Sequence, residues 1–332
     1  MKHVLIRNQW LSGWEFGVLR TLENTIAKIT GAEIINYPER QIPQLLIKNM
    51  GHGMSRGKYR WLLPKIKFAP EADVLWVILM GPETFELDLY KGWKQNTKKK
   101  VLYLCDTLPK MMNTIKRLFS DNTFDLCMTA FEDSIPELEK ITNHKWHCVM
   151  QAAPKDLFVP SPFKDRLIHF SSYGRRLPPF HNALLEYCNR NKLYYDYSTH
   201  AKLPATADVN EIYKQYAWHL THSLFNVSWP LELTNPQNAG YLRPITTRWF
   251  EAGLSACINI GKGPDNPKFH FELSDNIVEE INPFESKENI YKQIDILWNN
   301  REALFNKSLE RREQNKDRWD WDTRVNQMVS LL

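Results

Sequence analysis

Glycine is scarce in this chain, 13 of 332 residues, which excludes collagen-like repeats, glycine linkers and low-complexity architecture. Cysteine is scarcer still: five, at 105, 127, 148, 188 and 257, an odd number with no C-x-x-C pair. Each lies in or beside an apolar run. They read as small buried hydrophobes in a reducing compartment, and neither a disulfide framework nor a structural zinc is expected. Long apolar runs are missing as well. The longest, Val74–Met80, falls far short of the ~20 residues a membrane helix needs. The opening MKHVLIRNQW places only Val4–Ile6 before Arg7, too little for a signal peptide. These absences predict a soluble cytoplasmic protein.

What is present is globular composition, 43% hydrophobic and 24% charged, at a length that serves two cores. The net charge of +5 is unevenly spread. Residues 1–160 hold 22 basic and 17 acidic side chains, whereas the remainder holds 21 of each. Within the first half, residues 48–67 carry Lys48, Arg56, Lys58, Arg60, Lys65 and Lys67 with no acid, around Tyr59 and Trp61. Such a stretch is either a solvated surface loop or a site for an acidic partner: a phosphate-bearing polymer, a nucleic acid or an anionic membrane surface.

Short apolar runs alternate with helical periodicity from end to end, the pattern of a parallel α/β architecture. Strands are expected over 3–7, 33–37, 73–79, 100–105, 124–129 and 146–152. A helix over 18–29 is stopped by Gly31, and Ser134-Ile-Pro-Glu137 reads as a capping box opening another. Residues 153–163 hold three prolines, Pro154, Pro160 and Pro162, without helical period, and read as a linker. The alternation then restarts, with strands over 166–171, 193–198, 218–227, 256–260 and 276–281. Helices are expected over 179–191, from Asp208, over 246–255 and 287–298, and from 301 to the end. The fold class is therefore α/β, two Rossmann-like domains facing a central cleft. The expected boundaries are 1–157 and 158–315, with 316–332 as a terminal helix. Ligands of such sheets bind at the carboxyl ends of the strands.

The densest constellation runs from Tyr241 to Gly253. It is a loop with Gly240 and Arg243, then a helix whose first turn holds Thr246, Thr247 and Arg248. Free N–H groups at a helix N-terminus attract anions, and arginine adds a bidentate phosphate donor. Glu251, one turn in, is placed to accept from a pair of sugar hydroxyls. The same residues also fit a purely structural account, with Glu251 favouring the helix dipole and pairing with Arg248.

The run T-R-W-F-E-A-G-L-S-A-C-I resembles the R-x-F-E-A element in the second domain of GT-B glycosyltransferases, most of all the spore-maturation glycosyltransferase-like group. The resemblance implies Glu251 for the ribose of a nucleotide sugar and Thr246, Thr247 and Arg248 for its diphosphate; Arg243, in the loop before them, is a further donor-binding candidate from its own chemistry. The resemblance extends to His169-Phe-Ser-Ser-Tyr-Gly174-Arg-Arg176, where Gly174, Arg175 and Arg176 would face the phosphates, to the phrase Pro154–Pro160, and to Trp319-Asp-Trp321 in the terminal helix, which in such folds often crosses back to the first domain. About half the chain is covered. Arg243 stands where many retaining members carry the first Glu of Glu-x7-Glu, and Ala256 stands where members often have glycine, so inversion or retention stays open.

Two other motifs fail on context. Gly51-His-Gly53-Met-Ser-Arg-Gly57 has the wrong spacing for a dinucleotide fingerprint. Asp320-Trp-Asp322 matches the D-x-D of metal-dependent glycosyltransferases of another fold, but residues two apart on a helix do not share a metal. No protein-held metal or cofactor is expected, the nucleotide sugar being a co-substrate. For the general base, Asp106 at a strand end, Glu15 and His52 are the candidates; Asp106 equally reads as a helix cap. Trp10, Trp14, Tyr59 and Trp61, with Arg56, Lys58 and Arg60, are the expected acceptor contacts.

The resulting expectation is a metal-independent glycosyltransferase. It would move a sugar from a nucleotide-sugar donor to a hydroxyl of a surface glycan or its lipid-diphosphate precursor, with peripheral contact to an anionic membrane. The alternatives are an enzyme acting on a modified base in DNA and a non-catalytic protein that binds nucleotide sugars or polyanions.

Overall fold

A computed structural model describes residues 1–7, 16–36, 64–82, 87, 89–121, 124–197, 208–273 and 277–332. The apolar runs of the first half become parallel strands: β1 (His3–Ile6), β2 (Glu33–Ile35), β3 (Ala72–Leu79), β4 (Thr97–Leu104), β5 (Leu126–Thr129) and β6 (Trp146–Cys148). Their order across the sheet is β2-β1-β3-β4-β5-β6. β1, β5 and most of β3 are buried, which is why they read as continuous apolar runs rather than alternating ones. Helix α1 (Gly17–Thr30) buries Val18, Leu19, Leu22 and Ile26 on one stripe. It ends at Gly31, whose φ of 70° suits the left-handed cap and whose N–H bonds the Ala27 carbonyl.

After α2 (Met112–Asp121) and β5 comes α3 (Ile135–Thr142), with its proline in the first turn as expected. The expected capping box does not form. Ser134 has helical φ and ψ and makes no side-chain cap. Its hydroxyl is engaged with the Phe131 carbonyl at 2.6 Å and the Thr107 hydroxyl at 2.7 Å.

The second half repeats the plan. Strands β7 (Ile168–Ser171), β8 (Tyr195–Asp196), β9 (Ser223–Ser228), β10 (Ile258–Gly261) and β11 (Val278–Glu280) are parallel in the order β8-β7-β9-β10-β11. Helices α4 (Pro178–Asn191), α5 (Val209–Thr221) and α6 (Thr247–Leu254) alternate with them. Toward the end of the chain come α7 (Lys287–Asn299), α8 (Arg301–Asn315) and α9 (Trp321–Ser330). One face of this sheet presents Phe170, Phe225, Val227, Ile258 and Ile260 to a core shared with Phe180, Leu184, Ile290, Ile294 and Phe305. On the opposite face Asn226 and Asn259 stand in register. Both are buried, and Asn226 Nδ2 donates to Asn259 Oδ1 at 3.0 Å and to Ser228 Oγ at 2.8 Å.

Three expectations need correction. Residues 218–221 close α5 and do not open a strand. The terminal helix is two, α8 and α9, with a break between Asn315 and Trp321. The proline-rich stretch 153–163 is packed, not loose: Ala153 and Phe158 are fully buried, and Ala153 forms a parallel bridge with Asp320. Lys155 Nζ reaches Asp317 at 2.5 Å and Asp320 at 3.4 Å.

By its contacts the chain separates into one unit of Met1–Met150, Lys202–Tyr213 and Arg324–Leu332, and another of Gln151–Ala201 and Lys214–Thr323. Residues from Arg324 onward thus belong to the first unit, where Gln327 Nε2 donates to the Cys148 carbonyl at 3.5 Å. Among the described residues no helix is long and apolar enough to cross a membrane.

Candidate functional site

In the second unit the strand order reverses between β7 and β9, and such switch points open a crevice at the strands' carboxyl ends. Past Ser171 the backbone holds its pairing for one more residue, Ser172 N–H to Asp196 O at 2.9 Å, and then turns at Gly174. Its φ of +104° favours glycine there, and a Cβ would stand 2.8 Å from Cζ of Arg248, closer still to Nη2, so that any larger residue would push the guanidinium aside. The missing side chain lets the Arg248 guanidinium lie against the Gly174 backbone.

Arg248 occupies the first turn of α6, which Thr246 opens from an extended conformation without capping it. The cap comes from elsewhere. Buried Gln151 accepts the Thr247 N–H at 2.7 Å, so one of the amides expected to face an anion already has a partner. Among the described residues the half-buried Arg248 guanidinium has neither a hydrogen bond nor an ion pair, and in particular none with Glu251.

Glu251, one turn on, is only 3% exposed. A carboxylate at such depth needs donors. Tyr216 of α5 supplies one, its hydroxyl 2.9 Å from Oε2. Burial first, and then the Glu251 charge, push the Tyr216 hydroxyl well above its ordinary pKa, so it stays a donor. The Tyr216 ring meets Tyr173 edge-on at 5.3 Å, and the Tyr173 hydroxyl donates to Asp196 Oδ2 at 2.8 Å. His219 Nδ1 approaches the same carboxylate oxygen at 3.0 Å.

The remaining candidates differ in how they are held. Arg243 is folded onto its own loop, Nη1 donating to the carbonyls of Gly240 at 3.1 Å and Leu242 at 2.9 Å. Arg175 is exposed. Arg176 lies over the Tyr197 ring at 5.4 Å, with a buried Nη1 that has no hydrogen-bond partner among the described residues. Gly174, Arg248, Thr246, Thr247 and Glu251 are thus brought to one edge of the second sheet, flanked by Arg176.

In the first unit, half-buried Asp106 lies just past β4, its N–H on the Met80 carbonyl at 2.6 Å. It does not cap the next helical turn, Pro109–Met111, whose N-cap is Leu108. At the end of β1, Arg7 Nε pairs with buried Glu23 at 3.0 Å, an arrangement no sequence motif marked. Glu15, His52, Trp10, Trp14, Arg56, Lys58, Tyr59, Arg60 and Trp61 lie outside the described residues. Among the described residues no group of three or more His, Cys, Asp or Glu is placed to hold a metal ion.

Sequence reasoning missed Gln151, Tyr216, Tyr173 and Asp196. Ala256 gains an explanation: it sits at φ +51°, the left-handed region that glycine occupies without cost. A position that resembled a family glycine is one where the backbone asks for it.

No protein-family model and no curated protein matches the sequence. Solved structures do match in fold. Sucrose-phosphate synthase from Thermosynechococcus elongatus superposes with a TM-score of 0.57 at 9% identity, over 100% of this chain and 98% of that one. A glycosyltransferase from Rickettsia africae ESF-5 gives 0.53 at 12%, over 99% and 97%. The chain therefore has the GT-B fold, with two Rossmann-like units.

Proposed function

We propose that this protein transfers a glycosyl group from a nucleotide-sugar donor to an acceptor hydroxyl, and that its second unit holds the donor. One observation carries the reading: the Arg248 guanidinium, laid against the Gly174 backbone at the start of α6, has no hydrogen-bond or ion-pair partner among the described residues. A half-buried cation held without a counterion is suited to a ligand's anionic group. Arg176 and the first turn of α6, with Thr246 and Thr247, add donors to the same edge. Glu251 would accept from the ribose hydroxyls. The fold likeness to a sucrose-phosphate synthase and to a glycosyltransferase favours glycosyl transfer over other uses of such an anion site.

When the bond to the sugar breaks, negative charge develops on the departing diphosphate. Fixed guanidinium and N–H donors stabilise that charge without reorganising. In this reading they take the place of a metal ion, and Asp106 is the general base among the described candidates. The basic excess of the first 160 residues, 22 against 17, favours an acidic acceptor, a surface glycan or its lipid-linked precursor.

A nucleoside diphosphate should stabilise the fold. A ligand that binds only the native state adds about 2.7 kcal/mol at 100 times its Kd. Thermal shifts with UDP, GDP, TDP, ADP and CDP check this, and null results with all five would remove the donor site. Slow hydrolysis of the matching nucleotide sugar should accompany binding; its absence with an intact thermal shift would favour a binding protein over an enzyme. EDTA should leave hydrolysis unchanged. Complete loss restored by Mg²⁺ or Mn²⁺ would show that the diphosphate charge is balanced by a metal instead.

A further inference from the structure

We infer that Tyr216 is a positioning residue that fixes the orientation of Glu251, and through it the preference for a ribose-bearing nucleotide; the inference rests on the donor site proposed above. A carboxylate turns easily about its last torsion, and one aimed at a pair of hydroxyls must be held still. Tyr216 holds it. Its hydroxyl donates to Glu251 Oε2 at 2.9 Å in a fully enclosed contact. An ionised carboxylate has about four acceptor sites, so this bond sets the plane and leaves capacity for others.

Tyr216 is itself unable to swing. Its ring is wedged edge-on between Tyr173 at 5.3 Å and Phe158 at 6.1 Å, at interplanar angles of 88° and 76°. Tyr173 is anchored in turn by Asp196, which pairs with the end of β7 through β8. A line of contacts therefore runs from the sheet through Tyr173 and Tyr216 to the carboxylate. Had Tyr216 only filled space, phenylalanine would serve as well. Its hydroxyl donates to a buried acceptor, and that acceptor is the one carboxylate of α6.

The test is titration calorimetry of the full chain with UDP and GDP, each against its 2′-deoxy counterpart, for the wild type and Tyr216→Phe. The substitution removes one oxygen and keeps the ring, and its melting temperature reports the fold. The wild type should prefer a ribonucleotide by at least about ten-fold, the scale of one charge-assisted hydrogen bond. In Tyr216→Phe that ratio should fall toward one, with the loss borne by the ribonucleotide. An unchanged ratio, with or without a lowered melting temperature, makes Tyr216 a packing residue and overturns the inference while the donor site stands. A wild type that binds nucleotides without preferring ribose overturns it as well. Failure of the wild type to bind any of UDP, GDP, ADP and CDP, tried in turn against their 2′-deoxy counterparts, removes the donor site and the inference together.

Discussion

Arg248→Ala is expected to weaken nucleoside-diphosphate binding by about 2–4 kcal/mol, on the order of 30- to 1000-fold in Kd. A bidentate guanidinium on a partly desolvated phosphate is among the strongest single contacts a protein makes, and alanine removes both its charge and its fork. The unliganded fold should barely notice. Arg248 has no hydrogen-bond or ion-pair partner among the described residues, so its loss should change unfolding free energy within about 0.5 kcal/mol. Arg248→Lys should recover part of the affinity, because a lysine supplies the charge without the planar fork. Calorimetry on the three proteins, with urea unfolding beside it, makes the comparison. Equal affinity in all three would mean that the cation beside Gly174 serves something other than a nucleotide.

Trp319→Ala should produce the largest stability change, about 3–5 kcal/mol. The indole is fully buried, its Nε1–H donates to the Glu272 carbonyl at 3.0 Å, and its ring lies against Gly253 of α6, where a Cβ would stand 2.8 Å from Cζ3. Truncation removes the largest of side chains, leaves the Glu272 carbonyl without its donor and opens space beneath α6. Since α6 carries Arg248 and Glu251, nucleotide affinity should fall with stability. Urea denaturation followed by tryptophan fluorescence reads the first effect. A change below about 1 kcal/mol would show that α6 is seated by other contacts.

Much of this arrangement was legible in the chain because the signals were local. Gly31, the buried apolar run of β3 and the strand–helix alternation announce the sheets. Arg248 and Glu251 stood out because a helix start carries a short pattern, and Gly174 through the family resemblance. The failures share a cause too. Between α5 and β9 no glycine or proline marks the joint, so residues 218–227 read as one apolar run although the first four close a helix. Ser134 had the sequence of a cap, but Thr107 and Phe131 took its hydroxyl. Gln151 reaches Thr247 across 96 residues and Tyr216 reaches Glu251 across 35; no spacing rule spans such distances. Side chains that cap or orient from another element become visible only when the fold is in hand.

The Asn226–Asn259 pair bears on assembly. Parallel strands made of near-identical apolar residues slide past one another at little cost, and a slip by one position turns every side chain to the opposite face. Here a slip of β10 against β9 would turn the Asn259 amide to the face of Phe225 and Val227 and break its bond with Asn226, at a cost of roughly 1–3 kcal/mol for each group left unpaired. The pair thus works as an index mark. It sets the height at which β9 and β10 end, and so the level from which the segments leading toward Arg243 and away from Gly261 depart. A polar contact with no part in chemistry fixes the elevation of the loops that have one.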